Sequence, residues 1–267
     1  MEEIWKNAPQ KTVHKPKKRN PVKEKSSFES VFNSADKVIE SKSTLAIHQN
    51  AFPGTPTDIR GLHLSKKLLT DTSMLLLASK LDGTNDFKAL FLAKNNFGDV
   101  GAKALADSLK KDVSIRHLIL SNNKLTDFAV AALADMLKVN HYIGWLVLND
   151  NEVGNDGAKA LASSLKQNTG VLHVILSDNQ IGDEGVVALV TALKHRTQTR
   201  SLFLSGNPIE KEGFRSLIDL LKTTKSLKIL DIRNIDYDNK DMLDQLRSVA
   251  DEKGIRLLYT GSSVISG

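Results

Sequence analysis

Hydrophobic positions recur along this chain at a constant spacing of 28 residues. In one unit the apolar residues are Ile115, Leu118 and Leu120, followed by Asn123 and Leu125. The same order of residue types occurs in three further units: Phe87, Leu90, Leu92, Asn95 and Phe97; Ile143, Leu146, Leu148, Asn151 and Val153; and Val171, Val174, Leu176, Asn179 and Ile181. Counting in this frame from Ile59 to Ile255 predicts an array of equivalent units with no insertion or deletion between them.

Each unit combines two hydrophobic periodicities. Leu118 and Leu120 alternate with His117 and Ile119, which predicts a short strand with one face in the core and the other available. Apolar residues between positions 132 and 137 then recur at helical spacing. Adjacent strands lie about 4.8 Å apart, whereas packed helices need about 8–10 Å, so the stack must curve. We therefore predict an α/β solenoid, horseshoe-shaped, with a parallel sheet of up to eight strands on the concave face and helices on the convex face.

Three sets of polar or small residues recur in the same frame. Short acceptors stand near the predicted helix starts, where they would satisfy free amides and suit the helix dipole: Asp99, Asp127, Asn155 and Asp183. Glycines follow two residues later, which predicts close packing of each first turn against a neighbour: Gly101, Gly157, Gly185 and Gly213. An asparagine ladder should hydrogen-bond turn backbone that would otherwise be buried unpaired: Asn95, Asn123, Asn151, Asn179 and Asn207.

The pattern divides the chain into four parts. Residues 59–254 form seven repeats, and residues 255–267 form a closing strand and tail after Gly254 ends the last helix. Residues 27–58 form a capping helix and connector, with apolar residues on one helical face at Phe28, Val31, Phe32, Ala35, Val38 and Ile39. The functional alternative for that helix is a docking site for a second protein.

Residues 1–26 are a basic tail that we expect to be disordered. Residues 1–25 contain eight lysines or arginines against three glutamates, and they account for most of the net charge of +6. The run 15–19, Lys-Pro-Lys-Lys-Arg, would suit a nuclear-import signal or an electrostatic tether, although a plain solvated tail is favoured.

Composition narrows the function classes. The chain has no cysteine, which excludes disulfides, zinc-thiolate sites and cysteine nucleophiles, and fits a reducing, cytoplasmic-type compartment. No apolar run has the length of about 20 residues that a membrane helix needs, and residues 1–10 lack the apolar stretch of a secretory signal. No glycine-rich phosphate loop, metal motif or basic aromatic platform occurs. We therefore expect no cofactor, no metal, no nucleic-acid partner and no membrane insertion.

The repeats resemble a known family. Their length and the phrases at residues 101–106 and 157–162, Gly-Ala-Lys-Ala-Leu-Ala in both, resemble leucine-rich repeats of the ribonuclease-inhibitor type, GALA subclass. Such repeats are frequent in bacterial effectors, including those of Legionella, and the resemblance covers residues 59–260. The resemblance implies a protein-binding module, which would be delivered into the host cytoplasm if the chain is an effector. Val264 and Ile265 would suit the hydrophobic terminus of type IV secretion substrates. The F-box that some GALA effectors carry is not recognisable in residues 27–58, and a chain without cysteine cannot have a cysteine-dependent ligase domain.

The variable strand positions predict where a partner binds. One file across the inner sheet reads Gly61, Ala89, His117, Trp145, His173, Ser201 and Ile229, and the next reads His63, Phe91, Ile119, Val147, Ile175, Phe203 and Asp231. Trp145 is central, and the apolar residues around it would form an exposed patch on a face that is ordinarily polar. Tryptophan is enriched among interface hot spots. The alternatives are that long side chains simply cover the sheet, or that self-association hides it.

Charges around this patch are polarised. Basic residues precede the strands at Arg60, Lys88, Arg116, Arg200, Lys228 and Arg256, and acidic residues follow them at Asp150, Glu152, Asp178 and Asp236. A partner of complementary charge would be oriented by them. The predicted partner-binding residues are Trp145, His117, His173, Phe91, Ile119, Val147, Ile175, Phe203, Asp150, Asp178 and Arg233. We predict no catalytic and no metal-binding residue.

Catalysis has little support in the pattern. His117 and His173 lie two strands apart, about 10 Å from the strand spacing, too far to ligate one metal. A Ser-His-Asp site among Ser121, Ser177 and Asp178 would need contact geometry and a cleft that a shallow sheet does not supply. The sequence thus predicts a non-enzymatic module that binds, and inhibits or sequesters, a host or bacterial protein in a one-to-one complex. The alternatives are an adaptor that recruits a second protein through the N-terminal helix, and a GTPase-activating protein like the Ran activators.

Overall fold

A strand and a helix alternate along the chain. The computed structural model describes residues 61–81, 87–194, 196, 198–235 and 239–260. The strands are β1 (Gly61–His63), β2 (Ala89–Phe91), β3 (His117–Ile119), β4 (Trp145–Val147), β5 (His173–Ile175), β6 (Ser201–Phe203), β7 (Ile229–Asp231) and β8 (Arg256–Leu258). The helices are α1 (Asp71–Lys80), α2 (Asp99–Leu109), α3 (Asp127–Leu137), α4 (Asn155–Leu165), α5 (Asp183–Leu193), α6 (Lys211–Thr223) and α7 (Lys240–Lys253).

The strands form one open parallel sheet in chain order from β1 to β8. Leu118 is the register partner of Leu90 on one side and of Leu146 on the other, as the frame predicts. The middle residues of the strands and the leucines that follow them point to the helices and are almost fully buried, so the main core lies between the sheet and the helical layer. The predicted α/β solenoid of strand-helix units on one parallel sheet is therefore confirmed.

The last step of the array departs from the frame. Ile229 of β7 pairs with Arg256 of β8, so the strands match at a spacing one residue shorter than elsewhere. The prediction of an unbroken spacing up to Ile255 is wrong at this point. The reason is α7, which runs directly to a left-handed Gly254 (φ 62°) and then enters the strand without the longer turn of the other units. Gly254 does end the helix, as predicted, and the closing strand is present.

The asparagine ladder links each repeat to the one before it. The side-chain amide of Asn151 donates to the carbonyl oxygens of Leu148 in its own repeat at 2.9 Å and Leu120 in the preceding one at 3.2 Å. Its carbonyl oxygen accepts the backbone N–H groups of Asn123 and Leu125. The predicted role of this ladder in satisfying turn backbone is confirmed, because one side chain closes two adjacent turns that water cannot reach.

The acidic and amide residues stand at the helix starts and accept backbone N–H groups, as predicted. Each residue lies in the first turn of its own helix, but the N–H groups that it accepts belong to the next repeat. Asn155 accepts from Gly182 at 2.8 Å and from Gly185 at 3.0 Å. A Cβ on Gly185 would lie 2.8 Å from the Asn155 oxygen, so the glycines make room for this cap. Sequence reasoning found the right residues and their role but did not identify the helix that they cap.

Two helices lack such a cap from the preceding repeat and are capped locally. No described repeat precedes α1, and the backbone N–H of Thr70 donates to the Ser73 hydroxyl at 3.2 Å. Before α7, Lys211 stands where the other repeats carry the acceptor, and Asn239 instead accepts the Met242 N–H at 3.0 Å. The end units therefore depart from the pattern in the way that terminal repeats are expected to.

The predicted basic tail (1–26), the predicted capping helix and connector (27–58) and the terminal residues 261–267 lie outside the described residues. Of the helices that the structure describes, none is long and apolar enough to cross a membrane.

We predict that Asn155→Ala lowers the free energy of unfolding by about 1–2 kcal/mol, since it leaves the first-turn amides of α5 without an acceptor. Urea denaturation followed by far-UV circular dichroism measures this. The matched control is Asp156→Ala, one residue along in the same turn, whose side chain is exposed and whose ion pair with Lys159 is long at 3.5 Å. Equal stability of the two variants would contradict the inter-repeat cap.

Candidate functional site

The two files predicted from the frame are present on the concave face. The register pairs Trp145 with His117 on one side and with His173 on the other. In the next file, Val147 pairs with Ile119 and Ile175. Neighbouring repeats thus bring together side chains that are far apart in sequence, and the middle of the sheet carries the aromatic and imidazole rings.

Trp145 lies between two imidazoles. The His173 ring stacks on the indole at 3.7 Å between centroids and 17° between planes, and the His117 ring lies at 6.0 Å and 25° on the other side. One nitrogen of His173 and the Ser201 hydroxyl are hydrogen-bonded at 3.0 Å. Strand pairing fixes the backbone under all three rings, so this His-Trp-His stack is a preformed feature.

The predicted exposed apolar patch is not present. Trp145 is only 6 % exposed, Phe203 2 % and Ile175 1 %, and Val147 and Phe91 are also buried. Trp145, Val147, Ile175 and Phe203 form a cluster of their own, separate from the main core on the other side of the sheet. The alternative that long side chains cover the sheet describes this cluster better, since the sheet curves toward it and neighbouring side chains crowd together. Whether these residues bind a partner stays a prediction.

The accessible part of the predicted site is polar. His117, His173 and Ile119 are half-buried, whereas Asp150, Asp178 and Arg233 are exposed. A partner on the concave face would therefore meet imidazole edges, two carboxylates and a guanidinium rather than apolar rings.

Asp150 and Asp178 occupy equivalent positions just after β4 and β5, in left-handed backbone with φ of 56° and 53°. Short polar residues tolerate this conformation. Burial raises the pKa of the Asp178 carboxyl, and the negative charges of Asp150 and Asp231 add to the effect, while Arg233 opposes it. Neither Asp150 nor Asp178 has an ion pair with a described residue. The carboxylates of Asp150 and Asp178 thus repel each other, and a cation placed beside them would reduce this repulsion.

Arg233 is held by a buried acid that sequence reasoning did not pair with it. Asp231, 1 % exposed, accepts from Nε of Arg233 at 2.9 Å and from Nη2 at 2.8 Å. The hydrogen bond to Asp231 raises the pKa of the guanidinium. This bidentate pair fixes the arginine as a rigid cation beside the acidic rim.

The structure does not bring the considered catalytic residues together. Ser121 donates to the Asn149 oxygen at 2.7 Å, and Ser177 accepts from the Ser205 hydroxyl at 2.8 Å. His173 contacts a hydroxyl, but it is that of Ser201, and no described carboxylate is hydrogen-bonded to that imidazole. Burial, with Arg200 and His117 nearby, lowers the pKa of His173 to about 4, which makes it a weak base. Within the described chain, no group of three potential ligands is placed to hold a metal.

The rim at the strand ends also carries lysines that sequence reasoning missed. Lys66 and Lys94 occupy the frame position of Asp150, and Lys124 occupies that of Glu152. The 28-residue frame contained this signal, but only the acidic members of the set were read from it. The basic residues predicted before the strands are present at Lys88, Arg116, Arg200, Lys228 and Arg256, whereas Arg60 and Asp236 lie outside the described residues.

We predict that stability declines between pH 6.5 and about pH 4 because of His173. Its pKa is about 4 in the folded chain against 6.5 for a free imidazole. Above pH 6.5 the imidazole is neutral in both the folded and the unfolded chain, and the free energy of unfolding does not depend on its protonation. Between pH 6.5 and about 4 the imidazole binds a proton only in the unfolded chain, which lowers the free energy of unfolding as the pH falls. Urea midpoints measured from pH 7.5 to 4.5 should fall less for His173→Gln than for the wild type. Identical slopes would contradict the burial of this imidazole.

Sequence comparison identifies three of the repeats directly. The family model described as "Leucine Rich repeat" matches residues 86–106, 140–162 and 167–190. No curated protein matches the chain.

Among solved structures, the chain is similar to three repeat proteins of low sequence identity. The structure titled "Leiomodin-1 Actin-Binding Site 2 (ABS2)" is 16 % identical, with a TM-score of 0.47 over 55 % of this chain and 86 % of that one. "Pollen Receptor Kinase 3" is 16 % identical, with a TM-score of 0.38 over 68 % and 79 %. An internalin, InlF, from Listeria monocytogenes is 18 % identical, with a TM-score of 0.44 over 71 % and 51 %. The chain therefore carries leucine-rich repeats within residues 86–190, and its alternating strands and helices on one open parallel sheet are those of a solenoid of such repeats.

Proposed function

We propose that this chain is a non-enzymatic module that binds another protein through its concave face. The single observation that carries the proposal is the pair of exposed carboxylates, Asp150 and Asp178, on a preformed face beside the His-Trp-His stack. The two carboxylates belong to neither hydrophobic cluster of the fold. Exposed charged side chains beside aromatic rings on a rigid surface are typical of a recognition site.

The charges indicate which side chains the partner presents. Asp178 carries a raised pKa because it is partly buried near other carboxylates, and a lysine or arginine placed against it would remove that repulsion. The half-buried rings of His117 and His173 lie in the neighbouring strands and present their accessible parts to the same segment. We therefore infer a cationic loop or strand on the partner, docked across β3 to β5 in a one-to-one complex.

Trp145 takes a supporting role in this proposal. It is almost fully buried between its imidazole neighbours, so it holds the two rings in place instead of inserting into a partner pocket. The predicted hot spot moves accordingly from the indole to the accessible residues above it.

The cellular role follows from the resemblance of residues 101–106 and 157–162 to GALA repeats. We propose a bacterial effector delivered into the host cytoplasm, where the module inhibits or sequesters its target. Its target is a host protein or another effector. An adaptor role would depend on residues 27–41, and no described contact favours it or a GTPase-activating role.

The binding proposal is tested with a partner captured from host and bacterial lysates on the intact chain and then purified. We predict that Asp178→Ala weakens its affinity at least about tenfold in calorimetry, equivalent to about 1.4 kcal/mol, and that raising the salt concentration slows association.

The matched control is Glu184→Ala, an exposed acid of the same repeat on the helical side. It should bind as the wild type does. A partner that loses affinity with Glu184→Ala and keeps it with Asp178→Ala would place binding on the outer layer and refute the concave site.

A further inference from the structure

A second surface lies on the rim where strands end and helices begin. Three of the most exposed large apolar side chains of the described chain lie there, one in each of the first three units: Leu68 at 80 %, Val100 at 59 % and Phe128 at 66 %. We call these three residues the apolar rim. None of them contributes to either hydrophobic cluster.

The three residues lie in adjacent repeats whose turns are directly bonded. The carbonyl of Leu69, next to Leu68, accepts the Asn96 N–H at 2.8 Å. Asp99, next to Val100, accepts the Thr126 N–H at 2.9 Å. Val100 and Phe128 hold the same position, the second residue of α2 and of α3. The apolar rim is thus a row along the solenoid edge with one member per repeat.

Exposed lysines accompany this row. They precede the apolar residues in the same three turns and form no ion pair with a described residue: Lys66, Lys67, Lys94 and Lys124. The acids of these turns, Asp71, Asp99 and Asp127, are half-buried and accept backbone N–H groups of the next repeat. The fully exposed charges of this edge are therefore those of the lysines.

The same rim changes character in the next three repeats. Its exposed charged residues there are acidic with the exception of Lys211: Asp150, Glu152, Asp156, Asp178, Glu184, Glu210 and Glu212. Asp156, Glu184 and Glu212 hold the frame position of Val100 and Phe128. The edge is divided along the solenoid axis into an apolar, basic end and an acidic end.

Leu68 destabilises the isolated fold in two respects. Its side chain is the most exposed of the large apolar side chains that the structure describes, and its backbone is left-handed with φ of 57°. A branched apolar residue gains nothing from either condition in the isolated fold. Residues held at such a cost commonly serve recognition.

We propose that the apolar rim rests on the surface of an anionic phospholipid bilayer. The three side chains are largely exposed, one in each repeat, which suits a fluid surface that admits single side chains. Lysines bordering protruding apolar groups match the acidic headgroups of such a surface. The acidic end of the rim is repelled, so the solenoid meets the membrane with its first repeats.

The sequence supplies a second cluster of positive charge, in residues 1–25. The eight basic residues within residues 1–25 precede β1, the strand of the first unit. A single weak anchor gives only marginal membrane binding, whereas two signals together hold a protein stably. This peripheral contact involves no helix that crosses the bilayer, and it leaves the concave face open to a partner.

The test uses the full chain with vesicles of phosphatidylcholine containing about 30 % phosphatidylserine, and with vesicles of phosphatidylcholine alone. We expect flotation with the anionic vesicles only. Reversing the charge of Lys66, Lys94 and Lys124 to Glu should reduce partitioning by about fivefold or more for each lysine, the equivalent of about 1 kcal/mol of electrostatic attraction.

Matched controls separate the rim from net charge and from the tail. The same reversal at the exposed Lys211, Lys225 and Lys228 changes the net charge equally and should weaken binding far less. Deleting residues 1–25 should weaken binding of the wild type and of the rim variant alike. Equal loss in the rim and control variants, or loss on tail deletion only, would overturn the proposal.

Insertion itself can be observed because the chain has no cysteine. An environment-sensitive fluorophore on Phe128→Cys should shift to the blue with anionic vesicles, while the same label on Val187→Cys, an exposed residue of α5, should not. Binding of a soluble acidic protein with no blue shift on vesicles would assign the rim to a protein partner and refute the membrane. The fluorescence shift does not depend on the Asp178→Ala binding measurement. The membrane proposal and the concave binding site can therefore be refuted separately.

Discussion

The structure depends on polar side chains that satisfy the backbone of a neighbouring repeat. A short strand and a short helix joined by tight turns bury N–H and C=O groups that their own unit cannot pair. Asn151 reaches back to Leu120, Asn123 and Leu125, and Asn155 reaches forward to the first turn of α5. Apolar burial alone is not directional and would allow neighbouring repeats to shift relative to each other. The directional hydrogen bonds hold every repeat at the same offset from the next.

Both proposed surfaces are products of that fixed offset. Because each strand keeps the same register, a single variable position becomes a continuous file, and three such residues become the His-Trp-His stack. The same offset places Val100 beside Phe128 on the outer edge. The residues that repeat in every unit form the interior of the solenoid, and the residues displayed at its surface are among the positions that differ from unit to unit.

Sequence predicted the periodic part of the molecule well, because core residues such as Leu118 and ladder residues such as Asn151 obey a spacing that can be counted. It failed where an outcome depends on three-dimensional crowding or on direction. The burial of Trp145 follows from how closely its neighbours pack around it, which no sequence spacing encodes. The recipient of the Asn155 cap depends on which way the side chain turns, and the shortened step before β8 depends on how α7 ends at Gly254.

The asparagine ladder bonds to the preceding repeat, whereas the residues at the helix starts bond to the following repeat. This difference implies an order in which the repeats fold during synthesis. A repeat leaving the ribosome already has an acceptor waiting for its first helical turn, since residues such as Asn155 belong to the unit made before it. Its own strand-end turn, however, stays open until the asparagine of its successor has been synthesised. Nascent chains should therefore acquire structure one unit behind elongation, from the amino terminus onward, with the most recent unit always unfinished.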